Sequence, residues 1–140
     1  MRTRNRNRPD TSALRQLGLD AVLDRRELEQ LARDTDAIDV PAGEQLCRSG
    51  APARQFIGIL DGYVDVFDDA GNRRIAGPGT RIGGFDVLAG RCHDETVIAR
   101  SACRLVVIFG PALSRVRPSG AVAAWLDTAA AATAEPALVG

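Results

Sequence analysis

The sequence predicts an α+β domain: an antiparallel β-roll of the jelly-roll type, flanked by N-terminal and C-terminal helices. Three observations predict it. The hydrophobic period changes from 3.6 to 2 near Ala37, and alternating runs recur as far as Phe109. Glycine-bearing turns divide that stretch into short segments at regular spacing. A helical pattern precedes it from Thr11, and an Ala-rich helical pattern follows it over Ser119–Ala134.

Met1–Asp10 is rich in Arg and Asn, contains Pro9 and shows no apolar periodicity, so it is expected to be a disordered arm. Thr11–Asp34 reads as helical, with Thr11 or Ser12 as its cap and Leu14, Leu17, Leu19, Val22 and Leu23 as core anchors. Gly18 breaks it, and Asp24-Arg25-Arg26-Glu27 opens a second amphipathic turn carrying Leu28, Leu31 and Ala32. Ile38 and Val40 then alternate with Asp39. Strands are predicted at Gln45–Arg48, Gln55–Leu60, Tyr63–Phe67, Arg73–Ala76, Thr96–Arg100 and Arg104–Phe109. The turns between them hold Gly43, Gly50, Gly62 and Gly71, since each closes tightly between antiparallel strands. Pro111–Val116 reads as a helical turn, and Glu135–Gly140 as a frayed tail.

One segment differs from the rest. Ala76–Ala99 reads as a strand, a glycine-rich turn, a short helical turn, a loop and another strand. That is the layout of a small-ligand cradle, in which backbone N–H groups point at an anion.

Composition narrows the function. The chain has 140 residues, enough for one domain with a real core, and 18 basic residues balance 18 acidic ones. There is no global electrostatic case for nucleic acid or a membrane surface. No apolar run reaches the roughly 20 residues of a membrane span. All 18 basic residues are arginine, which reads first as a bias of genome composition. Three cysteines, Cys47, Cys92 and Cys103, lack metal-like spacing and leave one over in any disulfide scheme, so a reducing cytoplasm is expected. Cys47 and Cys103 stand in or beside apolar runs and are expected to act as small core hydrophobes.

Val40–Phe67, VPAGEQLCRSGAPARQFIGILDGYVDVF, resembles the cyclic nucleotide-binding domain family. The likeness rests on Pro41-Ala42-Gly43-Glu44, on Gly50 and Pro52, on Phe56, Ile59 and Leu60, and on Gly62 before Val64 and Val66. It extends from about the first helix to the helix at Trp125. The resemblance implies a phosphate-binding cassette over Ile82–Leu88 and His93–Val97, with Gly83, Gly84, Phe85, Arg91, His93, Asp94 and Thr96 as candidate ligand residues and a cyclic nucleotide as candidate ligand. It also implies two departures. Gly84 stands where the family has a glutamate that accepts from the ribose hydroxyl. His93 stands where the family has an arginine paired with the phosphate. A histidine carries little charge at pH 7, and Asp94 and Glu95 add negative charge where a phosphodiester would lie. Each change costs on the order of 1–3 kcal/mol, the scale of a charged hydrogen bond.

Two functions follow from this pattern. The first is a non-enzymatic regulatory or protein-interaction module with a degenerate cassette, acting through another protein or a larger complex. The alternative is a genuine cAMP sensor with a retuned pocket, using Gly83 amides, Thr96, and Arg91 or a protonated His93. No catalytic or metal-binding residue is expected: a metal-dependent β-helix enzyme needs two or three histidines plus a carboxylate, and the chain has one histidine. Specific DNA binding is not expected either, because the chain stops about where the family's helix-turn-helix domain begins. A homodimer through the terminal helix, with Val122, Trp125 and Leu126, competes with that helix closing the roll.

Overall fold

A computed structural model describes residues 10–83 and 90–116. The N-terminal arm, the helix expected over Ser119–Ala134 and the tail lie outside them. The described chain opens with helix α1, Ser12–Gln16. A 3-10 turn over Leu19–Ala21 and helix α2, Arg25–Ala32, come next. Thr11 is the N-cap residue of α1, as one of the two expected, but its side chain makes no capping bond. The Asp10 carboxylate accepts from the backbone N–H of Ser12 at 2.9 Å, and Thr11 Oγ1 is taken by the Arg15 side chain instead. Gly18, with φ +88°, makes the break between α1 and the 3-10 turn. Asp24 and Glu27 form a reciprocal capping box at the start of α2.

Eight strands follow among the described residues: β1 Thr35–Val40, β2 Gln45–Cys47, β3 Gln55–Asp61, β4 Val64–Asp68, β5 Arg73–Ala76, β6 Arg81–Ile82, β7 Glu95–Ala99 and β8 Cys103–Phe109. Helix α3, Gly110–Val116, follows directly. The strands form two four-stranded sheets, ordered β1-β8-β3-β6 and β2-β7-β4-β5. All the pairings are antiparallel. This is the β-roll that the alternation predicted.

Two apolar clusters hold it together. Between the sheets lie Ile57, Ile59, Val64, Val66, Ala76, Ile82, Val97, Ala99, Cys103 and Leu105. On the other side of the first sheet, Phe56, Leu60, Val106 and Ile108 meet the helical residues Leu14, Leu17, Leu28, Leu31 and Leu113. Strands β3 and β8 are therefore walled by apolar side chains on both faces, which explains their near-continuous hydrophobic sequence. Gly58 makes the close approach of α1 possible: a Cβ there would lie 2.5 Å from Leu17 Cδ1.

Edge strand β1 departs from the expected alternation. It begins at Thr35, whose hydroxyl donates to the Leu31 carbonyl and carries the chain from α2 into the strand. Ile38 remains 38% exposed, because β1 is an edge strand, paired with β8 alone among the described residues.

Candidate ligand-binding site

Strand β6 delivers the chain to the cassette. Ile82 and Arg81 pair with Ile57 and Gly58 of β3. Arg81, half-buried, donates from Nη2 to the Leu17 carbonyl at 3.0 Å, tying the start of the cassette to the end of α1. Burial lowers the pKa of this guanidinium from its usual value. Gly83 then turns with φ +84°, a backbone conformation suited to glycine. Gly84 and Phe85 lie outside the described residues.

The second half of the cassette is laced to the turn over Ser49–Ala53. The N–H of Ala53 donates to the Arg91 carbonyl at 3.0 Å, and the N–H of His93 to the Ala51 carbonyl at 2.9 Å. Gly50 returns a bond to the His93 carbonyl at 2.9 Å, and Pro52 bridges Cys92. Thr96 Oγ1 accepts from the Ser49 N–H at 3.0 Å. The Ser49 hydroxyl in turn donates to Asp69. The structure thus brings Arg91, His93 and Thr96 together along one strap. Arg91 and Asp94 are exposed, while His93 and Thr96 are half-buried.

Charges of both signs meet at this rim, with the exposed Arg91 ahead of His93 and the carboxylates Asp94 and Glu95 after it. Glu95 opens β7 and pairs with Arg74 of β5, Oε2 to Nη1, at 2.9 Å. Asp94 precedes it. Cys47 lies beside them, its thiol donating to the Glu95 carbonyl at 3.4 Å. Burial pushes this thiol up to about 11, and the charges of Glu95 and Asp94 push the same way against the Val97 N–H. Cys47 is half-buried and packs against the inter-sheet cluster as expected, with carboxylates on its other side. Cys103, by contrast, is buried as expected, and Cys92 is exposed.

Nothing in the sequence of Arg73–Ala76 beyond its strand pattern marks Arg74 as part of this site. Its partner is 21 residues away, and only the register of β5, β4 and β7 brings the two together. Among the described residues no group of three or more His, Cys, Asp or Glu side chains is placed to hold a metal ion. No helix among them is long and apolar enough to cross a membrane.

Comparison with known proteins agrees with this architecture. No curated protein matches the chain. Several solved structures share its fold. The regulatory domain of Toxoplasma gondii PKA with cAMP has a TM-score of 0.73 at 18% identity, over 86% of this chain and 48% of that one. The sensor domain of the transcriptional regulator DNR from Pseudomonas aeruginosa has a TM-score of 0.70 at 17% identity, over 85% and 88%. A mutant regulatory subunit of a cAMP-independent protein kinase A from Trypanosoma brucei, bound to cAMP, has a TM-score of 0.59 at 24% identity, over 75% and 46%. The chain spans about half the length of the two kinase regulatory structures. The model of the family described as cyclic nucleotide-binding domain matches residues 37–117, from within β1 to just past α3. That match covers more than half of the sequence and takes in all but the first two residues of the two-sheet roll, and so the chain belongs to the cyclic nucleotide-binding domain family.

Proposed function

We propose that the chain is a non-enzymatic regulatory module that acts through another protein, and that its cassette does not take cAMP or cGMP in the family's usual manner. The observation that carries this reading is the charge at the rim. Where a phosphodiester needs a cation, the strap presents His93, followed by Asp94 and Glu95. The nearby Arg74 is already engaged by Glu95. A phosphate placed there meets two carboxylates, and like charges at close range are unfavourable even in a wet site. The fold does not entail cAMP dependence, since one structure that shares it, a mutant with cAMP bound, comes from a kinase described as cAMP-independent.

Titration calorimetry of the full chain with cAMP and with cGMP tests the reading. The expected result is no saturable heat up to millimolar ligand. Micromolar binding of either nucleotide overturns it in favour of a retuned sensor built on the Gly83 turn and Arg91.

A further inference from the structure

We infer that Arg74 is the anion-receiving residue of this site, and that Glu95 fills it from within as a tethered substitute for a phosphate. The inference rests on the proposed function and gives a reason for the cassette's silence.

Arg74 lies opposite Val66, and Val66 lies opposite Val97. Both valines are almost wholly buried between the sheets, at 2% and 1% exposure. Directly paired residues share a face, so Arg74 stands on the inner face of the roll. Glu95 precedes Val97 by two residues on β7 and pairs with Asp68 of β4, which places it on the same face. The neighbouring charges sort the other way. Asp65 and Arg73 alternate to the outer face, where Arg73 and Arg100 share the Asp65 carboxylate.

An inward charge on an edge strand is a common guard against edge-to-edge pairing. That accounts for Arg74 on β5, the last strand of its sheet. It does not account for Glu95, because β7 lies between β2 and β4. Glu95 is also the first residue of β7, directly after His93 and Asp94. The ion pair therefore sits at the inner end of the strap that should hold a ligand. The side chains are 39% and 34% exposed, so the pair remains open to solvent and to exchange.

A carboxylate and a phosphodiester offer an arginine the same kind of anionic oxygen. The tethered carboxylate has the advantage of effective concentration, so a diffusible phosphodiester competes poorly. Removing it leaves Arg74 on the inner face with its donors available to a small phosphate-bearing ligand.

The test compares the full-length wild type, E95A, and the double variant R74M/E95A by calorimetry with cAMP, with thermal melting to establish that each is folded. E95A is expected to bind at least about tenfold more tightly than the wild-type limit, the scale of one charge-assisted contact. R74M/E95A is expected to lose that gain. A folded but silent E95A overturns the inference and leaves the proposed function standing. A gain that survives in R74M/E95A overturns the role of Arg74. Micromolar binding by the wild type itself overturns both readings. Should E95A not fold, E95S, whose side chain is too short to reach Arg74, takes its place with the same outcomes.

Discussion

Replacing Gly62 with alanine should destabilise the domain far more than the same change at another turn. Gly62 closes the β3–β4 hairpin with φ +94°. A left-handed backbone costs an ordinary L-residue about 1–2 kcal/mol. A second cost comes from space. A Cβ at Gly62 would lie 2.7 Å from Cys103 Sγ and 2.9 Å from Cys103 Cα, and closer still to the Ala102 carbonyl oxygen. The last two are backbone atoms of the chain entering β8, so they cannot swing aside as a side-chain tip would. Overpacking of this kind costs about 1–3 kcal/mol. The total is about 2–5 kcal/mol by the same two estimates, a large share of the roughly 5–15 kcal/mol that holds a domain. Gly50 is the internal control. Its φ is +90°, but a Cβ there would meet nothing within 4 Å. Gly50→Ala should therefore lose only the conformational part, about 1–2 kcal/mol. Urea unfolding of both variants, read at unchanged m, isolates the steric difference of about 1–3 kcal/mol. Equal losses at the two positions would refute the claim that β8 presses against the hairpin.

Two further outcomes follow from the site. The Cys47 thiol, raised from 9.0 to about 11 in the fold, should make stability fall as pH rises from about 9 through 11. Its neutral form is favoured in the folded state, so the contribution is complete below 9 and fades above; over two pH units it amounts to about 2–3 kcal/mol. Urea midpoints at pH 8.5 and 11 should therefore differ less in Cys47→Ala than in the wild type, and identical differences would count against the buried thiol. Thr96→Val should remove the acceptor for the Ser49 N–H, costing about 1 kcal/mol. It should speed hydrogen exchange at Ser49 specifically, whereas unchanged exchange there would contradict the strap.

Much of the roll was legible because its turns advertise themselves. Asp68 accepts from the backbone N–H groups of Ala70 and Asn72, the side-chain bonding that Asp-x-x-Gly-Asn foreshadows. Strand β5 falls over the expected Arg73–Ala76. Strand β8 extends one residue beyond expectation because Cys103, read as part of the preceding turn, pairs with Val40. Thr11 holds the expected N-cap position of α1, but the side-chain bond comes from Asp10, because Asp10, Thr11 and Ser12 all compete for the same backbone donors. Within the site, the departures at His93 and Asp94 could be read against the family pattern. The Arg74–Glu95 pair could not, since alternation assigns a residue to one of two faces but does not say which arginine of Arg73-Arg74 turns inward until the register is known.

The sheet order also governs the sequence of events when the chain folds. Strands β1 and β3 do not pair with each other; both pair with β8, which lies between them. Thr35 meets Ile108 and Gln55 meets Phe109, partners separated by more than fifty residues. A ribosome must therefore release nearly the whole roll before the wall between helices and strands can close. Until then two strand edges stay open to other chains, and pairings over such sequence distances form slowly. In a cell, dependence on chaperones should centre on that interval, and a truncation just before Cys103 should aggregate rather than leave a smaller stable domain.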